Sequence, residues 1–128
     1  MEQNIDSYLE KLNWKFERVN ETTIVSGFKG EDSTFTFYIF SDQDWIIFSI
    51  FPNLKVVTSE KISEITHLLT RMNFDTTLVK FSLDEKANVI ISIELPICTL
   101  SETVVEIALD AICSKANDLY KHLPELQT

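Results

Sequence analysis

The sequence predicts an α+β fold: an antiparallel β-sheet flanked by helices, in the order α-β-β-β-α-β-β-α. Three observations lead there. Apolar residues recur with helical spacing in three separated stretches, around Ile5, Ile65 and Val105. Between those stretches the apolar period falls to two, as a half-buried strand requires. Polar clusters such as Gly30-Glu31-Asp32-Ser33 and Ser41-Asp42-Gln43-Asp44 separate the strand-like runs and read as turns.

In chain order, Ile5, Tyr8, Leu9 and Leu12 form one apolar stripe of a first helix over residues 3–13, with Asn4 as its N-cap. Phe16 to Val19 reads as a short strand or an extended entry. Thr22 to Phe28 is a β-branched strand, and Thr34–Phe40 with Trp45–Phe51 is the clearest hairpin in the sequence. A second helix starts after Thr58 or Ser59 and carries Ile62, Ile65, Leu69 and Met72 on one stripe. Asn73 is placed to close it in the left-handed conformation. Val79, Phe81 and Leu83 alternate with polar residues, as do Val89, Ile91, Ile93 and Leu95, and Pro96 ends that second strand. Ile90 alone breaks its polar face.

Thr99 with Glu102 matches a capping box, and Ser101 is an equally good N-cap, with Leu100 and Val105 spaced as a hydrophobic staple. The last helix then runs towards Pro124. Its main stripe includes Val105, Leu109, Ile112 and Leu119. A second stripe of Val104, Ile107 and Ala111 suits either a core helix apolar over a wide arc or a subunit interface, and it supplies the dimer-interface candidates.

The hairpin is unusual in being apolar on both sides. Phe35, Phe37 and Ile39 share a face with Ile46, Phe48 and Ile50, whereas Tyr38, Phe40, Trp45, Ile47 and Phe51 point the other way. A one-sided antiparallel sheet needs only one apolar face. Either helices cover both sides, or the second set meets a partner. These five residues are the candidates for protein binding.

At 128 residues the chain is one domain, residues 1–128, with a core large enough to need neither metal nor disulfide. The formal charge is −9, and residues 31–60 hold five acidic residues against one lysine. Phosphate backbones and anionic lipid surfaces need clustered Lys and Arg, which are absent, so nucleic acid and membrane are poor partners and a protein or peptide client is a better one. The acidic start Met1–Asp6 lacks the basic and apolar regions of a secretory signal, which points to the cytoplasm. Cys98 and Cys113 lie among aliphatic residues, without the short Cys/His spacings of a metal site, and read as partly buried free thiols.

His67 has Glu64 three residues away but no nucleophile or ligand pattern beside it, and the two glycines cannot build a phosphate loop. No catalytic, metal-binding or cofactor-binding residue is therefore assigned. The function expected is a non-catalytic binding module. The alternative is a small-ligand or enzymatic domain with a pocket between sheet and helices, lined by Trp14, Trp45 or Tyr120.

The second half carries a resemblance. Leu69 and Asn73 end the middle helix, and Val79-Lys80-Phe81 with Asp84 forms a strand and acidic turn. Val89 through Leu95-Pro96 follows, then Leu100-Ser101 and a helix with Ile107, Leu109 and Ile112. Over residues 59–123 this resembles the YbjN family and the type III secretion chaperone fold with which it is grouped. Asp75-Thr76-Thr77 stands where the family often has a glycine. The resemblance implies a small, acidic, cytoplasmic and homodimeric protein that wraps extended client segments over apolar patches, or a regulator.

Overall fold

Residues 5–31, 34–51 and 59–121 are described in the structure, a computed structural model. Helix α1 (Ile5–Lys11) is followed by strands β1 (Phe16–Asn20), β2 (Thr23–Lys29), β3 (Thr34–Ser41) and β4 (Trp45–Ile50). Helix α2 (Ser59–Asp75), strands β5 (Lys80–Leu83) and β6 (Val89–Pro96), a 3₁₀ turn and helix α3 (Glu102–Tyr120) complete the chain. The elements follow the expected order, and the short strand or extended entry at Phe16 is a paired strand, so that four strands and not three precede α2. The caps expected at Asn4 and Thr58, and the helix end near Pro124, lie outside the described residues.

The six strands form one antiparallel sheet in the order β1-β2-β3-β4-β6-β5. Because α2 and β5 intervene, β6 returns to lie between β4 and β5. Alternation along the strands puts Ile24, Phe37, Ile39, Ile46, Phe48, Ile50, Ile91 and Ile93 on one face, all buried. Ile5 and Leu9 of α1, Ile65 and Leu69 of α2, and Val105, Leu109 and Ile112 of α3 join the same core. At β2 the backbone of β3 passes so close that a Cβ on Gly27 would stand 2.9 Å from the Phe35 carbonyl oxygen, which leaves glycine the one residue that fits without a shift.

Local chemistry sets the element ends. Helix α1 stops where Asn13 takes a left-handed φ of 61°, with Trp14 N–H donating to the Leu9 carbonyl and Asn13 N–H to that of Glu10. This is a Schellman closure. Helix α3 begins at Ser101, whose hydroxyl accepts from Val104 N–H at 3.1 Å, while Leu100 and Val105 are buried as the staple demands. Thr99, the other cap candidate, instead donates its hydroxyl to the Pro96 carbonyl.

Asn73 does something different from the closing role expected of it. It lies inside α2, and the left-handed residue beyond the helix is Leu78, with φ 76°. The Asn73 side-chain carbonyl accepts from Phe81 N–H at 2.8 Å, and its NH₂ donates to the Phe81 carbonyl at 2.9 Å. One amide thus occupies both outward backbone groups of Phe81 on β5, the edge strand, as a neighbouring strand would. Such an edge would otherwise be open to pairing with another chain.

Candidate protein-binding surface

The second face of the sheet is built by the alternate residues of the same strands. The registers align Tyr38 of β3 with Ser49 of β4, Ser49 with Ser92 of β6, and Ser92 with Lys80 of β5. Phe40 stands opposite Ile47 on the same face, and Trp45 opposite Pro96. Among the described residues the helices pack on the other face, and α2 also reaches the β5 edge. Among the described residues, the two-sided apolar hairpin is therefore covered on one side only.

Three aromatic rings make a continuous row on the open side. Tyr38 stacks on Phe40, with centroids 5.9 Å apart and planes 13° off parallel, and meets Phe51 edge-on at 5.8 Å. Phe51 is 42% exposed and Trp45 48%, while Tyr38, Phe40 and Ile47 are half-buried. Ser49 and Ser92 are buried although they point the same way, because larger neighbours shade them. Across the strands they stand between Tyr38 on β3 and Lys80 on β5, which pairs with Glu94. From Trp45 to Phe51 the row runs about 20 Å, the reach of six extended residues.

Other residues singled out from the sequence lie elsewhere. Val104 and Ala111 are half-buried on a flank of α3, and Ile107 beside them is 54% exposed. Trp14 packs edge-on against Phe37 at 5.5 Å and Tyr120 against Phe35 at 5.8 Å, so both rings serve the core. The cleft of about 270 Å³ between the C-terminal ends of α2 and α3 is lined by Met72, Asp75, Thr76, Lys115, Asp118 and Lys121. None of Trp14, Trp45 and Tyr120 lines it. His67 is exposed, and Glu64 pairs with Lys61 at 3.6 Å.

The expectation of two partly buried thiols needs correcting at Cys98, which is exposed on the 3₁₀ turn after β6. Cys113 is half-buried, and burial, reinforced by the Asp110 charge, pushes its thiol up to about 12. The two shifted turn carboxylates move in the other direction. Backbone N–H groups of Trp45 and Asp44 hold Asp42 below the usual carboxylate range, and those of Asn88 and Lys86, with the Asn88 side chain, do so for Asp84. A general acid needs the opposite shift, so these acids close turns.

Sequence reasoning missed Val25, which pairs with Tyr38 and extends the open face onto β2, and Phe74 of α2, 87% exposed. Phe74 was legible: nine residues after the buried Ile65, it falls on the opposite side of the helix. Val25 was not, because the face of a short strand is fixed only once its register is known.

The sequence pattern of the YbjN family, described as "Putative bacterial sensory transduction regulator", matches residues 3–125. The chain belongs to the YbjN family. Its fold is similar to that of YbjN from E. coli, with a TM-score of 0.70 at 16% identity, covering 94% of each chain. It is also similar to the Yersinia pestis type III secretion chaperone SycH, in complex with a fragment of YscM2. There the TM-score is 0.58 at 14% identity, over 88% of this chain and 92% of that one. A chain of the ExoU–SpcU complex of the Pseudomonas aeruginosa type III secretion system gives a TM-score of 0.62 at 16% identity, over 96% and 97%. Identities this low establish a shared fold. No curated protein sequence matches the chain. The YbjN domain shares with these neighbours an α+β fold on an open antiparallel sheet, and no helix among the described residues is long and apolar enough to cross a membrane.

Proposed function

We propose that this YbjN-family chain is a non-catalytic protein-binding module, chaperone-like or regulatory, that holds a segment of a client on the open sheet face. The observation that carries this reading is the row Phe51–Tyr38–Phe40 with Ile47 and Trp45, an apolar surface over which no described helix packs. Contiguous apolar surface of this kind is costly to leave in water and marks interaction sites. Support comes from the fold neighbours SycH and ExoU–SpcU, both solved in complexes with protein partners. A regulator acting through protein contacts also suits a charge of −9 better than one that must approach DNA.

The module works as a homodimer in the cytoplasm, with Val104, Ile107 and Ala111 on α3 packing against the second copy. Light scattering on a sizing column tests this directly: the native chain runs at twice its monomer mass, and Ile107→Glu runs as a monomer. The client surface is tested by affinity capture with native protein and with a Tyr38→Ser/Phe51→Ser variant that keeps its far-UV spectrum. A partner retained by the first and lost by the second supports the reading, and equal retention removes it.

A further inference from the structure

Resting on the open face as the client surface, we infer that its occupant is an apolar segment with a Lys or Arg at the end lying over Trp45. The face is electrically lopsided. Two turns meet at one end of the sheet, where Ser41 N–H donates to the Thr22 carbonyl at 2.9 Å and Thr23 pairs with Phe40. Glu21, Asp42 and Asp44 are all exposed there. Asp42 accepts from Asp44 N–H at 2.7 Å and Trp45 N–H at 2.8 Å, which keeps its carboxylate ionised, while Asp44 makes no ion pair among the described residues.

The cation described at this end is Arg18. Its guanidinium is engaged by Asp6 and by the carbonyls of Asn20 and Glu21, so it does not neutralise the hairpin acids. Further along the face, Lys80 and Glu94 neutralise each other. The net result is an aromatic row, with the exposed Glu17 of β1 beyond Val25, that ends at an indole flanked by carboxylates. Trp45 presents an exposed ring on which a guanidinium can stack beside the acidic turn of Asp42 and Asp44, a combination that suits Arg and, less well, Lys. Charge complementarity also selects among occupants. A second copy would bring its own −9, and an acidic segment would set like charges against the hairpin end.

Backbone amide NMR shifts, titrated with three acetylated peptides, test the inference. The probes are Leu-Thr-Leu-Thr-Leu followed by Arg-Arg, Gln-Gln or Glu-Glu. The Arg peptide is expected to shift the amides of Tyr38, Phe40 and Phe51 and to bind at least fivefold more tightly than the Gln peptide, with the Glu peptide weakest. An Asp42→Asn/Asp44→Asn variant, in which the side-chain amide carbonyl introduced in place of the Asp42 carboxylate can still accept the turn N–H groups, abolishes that preference and leaves Gln-peptide binding unchanged. Equal binding of the Arg and Gln peptides at the aromatic row overturns the charge inference and leaves the client surface standing. Arg-peptide binding that survives Tyr38→Ser/Phe51→Ser places the cation elsewhere and overturns it too. If no peptide shifts the row, the client surface and the inference fall together.

Discussion

Strands β3 and β4 present two apolar faces made of similar residues, and the two have different fates. On one, Phe37, Ile39, Ile46, Phe48 and Ile50 are buried to 1% exposure or less beneath the helices. On the other, Tyr38, Phe40, Trp45, Ile47 and Phe51 meet one another and solvent. The inner face is aliphatic or Phe, without a polar atom. The outer face carries the two side chains, Tyr38 and Trp45, that join an apolar ring to a hydrogen-bonding group and so tolerate water at one end. The client surface proposed for that face would have to be acceptable both wet and covered.

Truncation separates the faces most sharply. Phe48→Ala removes a fully buried ring and is expected to lower stability by about 3–5 kcal/mol in urea unfolding. Phe51→Ala, which loses an exposed ring and one edge-on contact with Tyr38, is expected to cost about 1 kcal/mol or less. Comparable losses would mean that the outer row is part of the core, and the contrast between the faces would collapse.

Next in size is the sealed β5 edge. Replacing Asn73 by Ala leaves both outward groups of Phe81 without their partner, a loss of roughly 1–3 kcal/mol where water cannot fully substitute. Hydrogen exchange at the Phe81 amide should accelerate in that variant more than exchange at Ile93, in the sheet interior. Uniform acceleration would show that Asn73 supports the fold at large and does not seal an edge. Ser101→Ala, which removes the α3 cap, is expected to cost about 1 kcal/mol without altering exchange at Phe81.

Much of this architecture could be read from period and punctuation. The periods of the three helices and of the hairpin arms, the stop at Pro96, the Ser101 cap and the Leu100–Val105 staple depend on residues close in sequence. Which face of the hairpin the described helices leave open could not be read that way, because both are apolar and the answer depends on where α1, α2 and α3 dock. Asn73 shows the same limit. From the sequence it is an ordinary helix terminator, and its bond to Phe81 exists only because β5 returns alongside α2. The five outer-face candidates were legible as a set because alternation places them together, whereas Val25 required the β2–β3 register.

The smallest effect concerns the two acidic turns, at opposite ends of the sheet. Asp42 and Asp84 are both held ionised by backbone N–H groups, so each has a folded pKa below its unfolded one. A depressed carboxylate contributes stability that is fully present above the unfolded pKa, about 3.9, and is lost as pH falls through the folded pKa. Native protein should therefore lose stability below about pH 4, where these acids take up protons on unfolding. Asp84→Asn keeps an acceptor for Lys86 and Asn88 N–H but has no charge to titrate, so its stability should fall less steeply over that range. Asp42→Asn should flatten the same limb and, unlike Asp84→Asn, change which peptides the open face prefers. If the two substitutions act alike on peptide preference, the hairpin acid is only a turn residue, and the two ends of the sheet do not differ in function.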